Sequence, residues 1–136
     1  MKKITLLCVG FLSLLSLQAQ QTYTYSNPAR AFQEGKEQYL QQQFSASEHS
    51  LQTYLQTADP SAKSKIQEAE YFIAANAYEL RQADATALLK AYVEKYPGTS
   101  MLDNVKFRLG ILLFEQKQYT AAIKELDKVN IKKLNT

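Results

Sequence analysis

Cysteine occurs once in this 136-residue chain, at Cys8, and tryptophan is absent. Cys8 lies inside a leader segment, so the remainder has no thiol and neither disulfides nor thiolate metal sites are open to it. Glycine and proline are sparse, four and three residues, beside abundant Ala, Leu, Gln, Glu and Lys, which is a helical composition. The one histidine, His49, stands between Glu48 and Ser50. Adjacent residues on a helix point in different directions, so this trio forms no relay and His49 is expected to be a solvated surface group. Clustered His and carboxylates are missing, as is a Gly-rich phosphate loop. Catalytic residues, metal ligands and cofactors are therefore not expected, and the chain is not read as an enzyme.

Excess charge of one sign is also lacking. The formal charge is +3, but Lys2 and Lys3 belong to the leader, and without them it is +1. Interspersed signs at near neutrality argue against a nucleic-acid partner or a polybasic membrane surface. The leader itself has a basic flank, an apolar run from Ile4 to Leu17 and small Ala19 at its exit. That pattern describes a signal peptide over residues 1–19, cleaved after Ala19 with Gln20 as the neighbouring alternative. The apolar run is about fourteen residues where a membrane span needs roughly 20, so no transmembrane anchor is expected after cleavage. Cys8 is too near the start to be a lipid-attachment residue. Residues 20–27 read as a flexible lead-in.

Helical periodicity then fills the chain. Asn27-Pro28 supplies a cap and a proline at the first helical position. Phe44, Ser47, Leu51, Tyr54 and Leu55 form the stripe of a partner helix. Asp59-Pro60 repeats the cap-and-proline signature and predicts the next helix start. That long helix has two apolar stripes and so contacts on two sides. Asp84 can cap the fourth helix, which stops at Tyr96-Pro97-Gly98. Ser100 and Asp103 have capping-box spacing before the fifth, and Tyr119 to Val129 supply the sixth. Six helices in three hairpins are expected, with no strand.

A pattern of small and aromatic residues recurs through these hairpins. Ser47, Ala85 and Ala122 are 38 and 37 residues apart, each four residues before a leucine. Gly35, Ala75 and Gly110 precede them by twelve, ten and twelve residues. Small residues at these places let the two helices of a hairpin cross closely, with Tyr119 and Leu126 beside the third crossing. Such a period implies stacked hairpins, because one hairpin cannot bury its apolar face alone.

At Leu109-Gly110, Tyr119, Ala122, Leu126 and Val129 the chain resembles the tetratricopeptide repeat, and Pro97 matches that family's proline after the second helix. Ser47 departs from the usual Ala, the second turn is short, and no proline follows Val129. The resemblance implies an all-α, right-handed superhelical stack of about three hairpins, with repeats at 28–58, 60–96 and 99–130 and an uncapped tail at 131–136. The junction from Lys95 to Ser100, feeding Phe107 to Gly110, is similar to exported repeats of the bacterial envelope, such as those of its outer-membrane-assembly lipoprotein and its cell-division coordinator. This implies a non-catalytic scaffold for protein–protein contacts in the periplasm or at the outer membrane.

Family members bind peptides or partner helices on the concave surface lined by the first helix of each hairpin. The resemblance places Phe32, Lys36 and Tyr39, then Phe72, Asn76 and Glu79, then Phe107, Ile111 and Phe114 on that surface, as a groove for a protein or peptide. The alternative is that these aromatics pack between adjacent hairpins. A carboxylate clamp using Asn76 and Lys36 is opposed by Glu79 one turn away. A structural or glycan-associated role would need Tyr39, Tyr71 and Tyr78 exposed. No polar capping helix follows Val129, so apolar area is expected near Leu112, Ile123 and Leu126. Either self-association or further repeats of a longer array would cover it.

Overall fold

Asn27 and Pro28 open the first helix as the sequence suggests: the Asn27 side chain accepts from the Arg30 amide at 3.3 Å, and Pro28 loses no hydrogen bond at the first position. The computed structural model describes residues 27–134, so the leader and most of the lead-in lie outside the described residues. Six α-helices follow in order: α1 (Pro28–Leu40), α2 (Phe44–Thr57), α3 (Lys63–Glu79), α4 (Ala85–Lys95), α5 (Leu102–Glu115) and α6 (Tyr119–Leu126). A 3-10 turn at Ile131–Lys133 packs back on α5. No strand occurs among the described residues, and the protein is all-α.

Each helix packs on its neighbour in sequence, and the odd helices also meet one another, α1 with α3 and α3 with α5. Among the described residues the backbones of α2 and α4, and of α4 and α6, do not approach one another closely. The core divides accordingly. Phe32, Leu51, Tyr54 and Ala69 form one cluster, and Leu89, Tyr92, Val105, Leu109 and Leu113 belong to a second, with Phe72 packed against both. Fully burying each such leucine contributes about 1.5–3 kcal/mol.

The connections inside the hairpins share one conformation. Gln42, Arg81 and Lys117 all have positive φ, at 61°, 54° and 62°. Around each, the backbone closes in the same two steps. Gln43 and Gln42 donate to Gln38 and Tyr39, Gln82 and Arg81 to Ala77 and Tyr78, and Gln118 and Lys117 to Leu113 and Phe114. These are Schellman ends that satisfy the last carbonyls of α1, α3 and α5. The three left-handed residues therefore set the register of the repeat.

That register corrects the expected alignment of the second hairpin. Seven residues before each left-handed residue stand Gly35, Ala74 and Gly110; Ala75, although buried, is one place on. Likewise Tyr71, not Phe72, is equivalent to Phe32 and Phe107, and Tyr78 is equivalent to Tyr39 and Phe114. The turn into α4 is one residue short by this count, since Ser47 and Ala122 follow their turn residues by five and Ala85 by four.

Two helix starts also differ from expectation. Helix α3 begins at Lys63, because Asp59 accepts from the Ser61 amide at 2.8 Å and folds Pro60 into a turn ahead of it. Helix α5 begins at Leu102, and Asp103 accepts from the Asn130 amide at 2.8 Å instead of boxing Ser100. Pro97 lies in the exposed turn after α4.

The hairpin crossings are close where glycine stands. A Cβ on Gly35 would lie 2.6 Å from Cγ of Leu51, and one on Gly110 would lie 2.5 Å from Cγ of Leu126. Ala85 and Ala122 are buried. Tyr119 does not fill the third crossing: it is exposed and meets Phe114 edge to face at 5.4 Å.

Candidate functional site

A half-buried cation organises the face where α1, α3 and α5 meet. Arg108 comes from α5 at the register place that Phe72 occupies on α3, nine residues before the left-handed turn residue. Its Nη2 donates to the Tyr39 hydroxyl at 3.0 Å and its Nη1 to the Tyr71 hydroxyl at 3.4 Å. The Glu79 carboxylate lies 3.7 Å from Nη2, and the guanidinium carbon sits 5.7 Å from the centre of the Tyr78 ring. Burial disfavours the charge on Arg108, but Tyr71, Tyr39 and Glu79 together outweigh it and hold its pKa above the ordinary arginine value. Burial also pushes the Tyr39 phenol up, against the pull of Arg108. With one hydrogen bond to each of the two earlier hairpins, Arg108 braces the stack. Its Nε is buried without a partner.

The nine residues expected on the inner face are divided by this packing. Phe32 is buried against Tyr54, with ring centres 5.0 Å apart. Lys36 pairs with Glu68 at 2.6 Å and covers the Phe32 ring. Tyr39 and Phe72 pack at 4.9 Å, and Phe72 meets Tyr71 at 5.1 Å. Asn76 is wholly buried and donates from Nδ2 to Oγ of Ser47 at 2.9 Å, while that hydroxyl donates to the Gly35 carbonyl at 2.7 Å. Asn76 is thus turned into the joint between the first two hairpins and is withdrawn from any groove. The same bond explains why serine stands at position 47. Glu79, Phe107 and Phe114 are exposed, and Ile111 is half-buried.

What remains open is a cleft of about 440 Å³ lined by Tyr78, Glu79, Asn104, Phe107, Arg108 and Leu134. The sequence singled out Glu79 and Phe107 of these for the groove, and Tyr78 for the glycan-facing alternative. Asn104 and Leu134 carried no periodic signal, since one is polar at a helix start and the other lies in the tail. An arginine at a position that is aromatic one repeat earlier was the available clue to Arg108. Comparison of the chain with protein-family models, curated proteins and solved structures finds no match.

Other expected features fall as follows. His49 is exposed on α2, and what bonds there is its backbone carbonyl, which accepts from Thr53. Among the described residues no three His, Cys, Asp or Glu side chains gather to hold a metal, and no helix is long and apolar enough to cross a membrane. Tyr71 is 7% exposed. Leu112 is buried in the second core cluster, so of the three residues expected at an open end only Ile123 is exposed and Leu126 is half-buried.

Proposed function

We propose that the chain is a non-catalytic helical-repeat scaffold of the tetratricopeptide type. In this reading it is exported to the periplasm or the outer membrane, where it binds a protein or peptide partner. The observation that carries the reading is one local unit repeated three times, with a left-handed residue at Gln42, Arg81 and Lys117 closing each hairpin. Close backbone approach among odd helices, and not among even ones, supports a stack that curves with α1, α3 and α5 on its inner side. The cleft beside Phe107 is the binding place: Phe107 and Leu134 offer apolar surface, and Glu79 and Asn104 offer hydrogen-bonding groups. Such a lining suits one apolar side chain of a partner segment held by its polar backbone. A glycan-facing role draws little support, because Tyr71 is buried and the Tyr39 ring is covered by Phe72.

The test is a photoreactive residue at position 107 of the full chain in its native cell, with position 52, exposed on α2, as control. A discrete protein adduct from position 107 alone, on a chain lacking residues 1–19 by mass, is the expected result. Adducts equally from both positions, or none from positions 79, 104 and 107, would overturn the binding face. Residues 1–19 retained on the chain would overturn export.

A further inference from the structure

The first and third hairpins carry the same aromatic pair at their turns. Tyr39 and Phe44 stand three residues before and two after Gln42, and Phe114 and Tyr119 have the same offsets from Lys117. Both pairs meet edge to face, with ring centres 5.6 Å and 5.4 Å apart. What lies over them differs. On Tyr39 the next odd helix lays Phe72, and Arg108 bonds its hydroxyl. Phe114 and Tyr119 instead remain 58% and 52% exposed, and Ile123, one turn beyond Tyr119, is 59% exposed. Two rings and an aliphatic side chain form a contiguous apolar patch, which favours being covered.

We propose that this patch is the self-complementary face of a homodimer, in which the α5–α6 hairpins of two copies pack on each other about a two-fold axis. The patch is the register equivalent of an interface already used inside the chain, since its counterpart in the first hairpin is where the next hairpin docks. Head-to-tail stacking of copies lacks the matching surface. The residues that α3 and α5 turn to the preceding hairpin are Phe72 and Arg108, then Asn76 and Leu112; α1 has exposed Gln33 and Glu37 at those places. At those two places α1 thus offers no ring or aliphatic group to cover Phe114. The α5–α6 hairpin does offer them, and a two-fold axis brings that hairpin onto its own copy. The patch is distinct from the cleft at Phe107, and the dimer depends neither on export nor on an outside partner.

The test uses residues 20–136, which hold all six helices and no cysteine. Sedimentation velocity should show a concentration-dependent monomer–dimer equilibrium that Phe114→Glu weakens at least tenfold and Gln33→Lys leaves unchanged. Both positions are exposed, and unchanged thermal melts at a dilution where every chain is monomeric would confirm folding. Under oxidation, Ile123→Cys should form a disulfide-linked dimer and Gln33→Cys should not. A chain that stays monomeric up to about 1 mM, a dimer indifferent to Phe114→Glu, or crosslinking only between Ile123→Cys and Gln33→Cys chains would overturn the proposal.

Discussion

The Asn76 side-chain amide donates to the Ser47 hydroxyl across the joint between the first two hairpins, and both residues are wholly buried. At the next joint the equivalent residues are Leu112 and Ala85, an apolar pair in the second core cluster. The two joints solve one packing problem by opposite chemistry. Ser47→Ala should therefore cost about 1–3 kcal/mol, because it leaves Nδ2 of Asn76 buried without an acceptor, beside an Oδ1 that already has no partner. The double variant Ser47→Ala/Asn76→Leu copies the second joint and should recover most of that loss. Urea unfolding of the four members of the cycle measures the coupling, and additive losses would show that the bond contributes nothing specific.

Left-handed backbone at a residue with a Cβ is a cost carried three times. Replacing Gln42 or Lys117 with glycine should stabilise the chain by about 0.5–1 kcal/mol, the strain relieved less the added freedom of the unfolded chain. Arg81 should gain less, since its guanidinium pairs with Glu115 at 3.1 Å and covers Tyr78. A rise in denaturant midpoint at unchanged slope would verify the first two.

These turns also show where the sequence stopped being readable. Helices and core stripes were legible because their apolar spacing is regular and the connections are short. The left-handed residues were hidden, since glutamine, arginine and lysine give no sign of positive φ. Without them the second hairpin could slip: Ala74 and Ala75 are both small, Tyr71 and Phe72 both aromatic, so either choice preserved the pattern. Asp59-Pro60 misled for a different reason, because the same two residues serve a helix cap or a turn, and the Ser61 amide decides which. Of the inner face, the side-chain types were visible and their exposure was not. Phe32 is covered by Tyr54 of its own hairpin, whereas the equivalent Phe107 stands exposed.

Tyr54 gives the fold an alkaline limit. Burial raises its phenol above the usual value near 10, and the Asp59 carboxylate pushes it the same way. The folded chain therefore holds this proton more tightly than the unfolded one. Its contribution is fully present below about pH 10 and is lost as pH rises through the higher folded value. Tyr54→Phe should flatten the decline in stability measured between about pH 9 and 11. Tyr92 and Tyr96, also raised by burial, should leave some slope. At neutral pH the same variant should be neutral or stabilising by up to about 1 kcal/mol, since the Tyr54 hydroxyl is buried without a partner.

The two crossing glycines should not be equally costly to replace. At Gly35 an added methyl meets Cγ and Cδ2 of Leu51 at 2.6 and 2.8 Å and the Leu51 backbone nitrogen at 3.3 Å. Leu51 has no exposed surface, so it has nowhere to turn and α1 must move from α2. At Gly110 the three nearest atoms all belong to the Leu126 side chain, which is half-buried on the last helix and can swing outward. Overpacking of this kind costs about 1–3 kcal/mol, against which alanine returns about 1 kcal/mol of helix propensity. Gly35→Ala should thus lose about 2 kcal/mol net, while Gly110→Ala should fall near zero. Adding Leu51→Ala to Gly35→Ala should cost less than Leu51→Ala alone, since the new methyl then fills part of the cavity. Equal losses at the two glycines in thermal or urea unfolding would mean that the crossing distance, and not the freedom of the facing leucine, controls the tolerance.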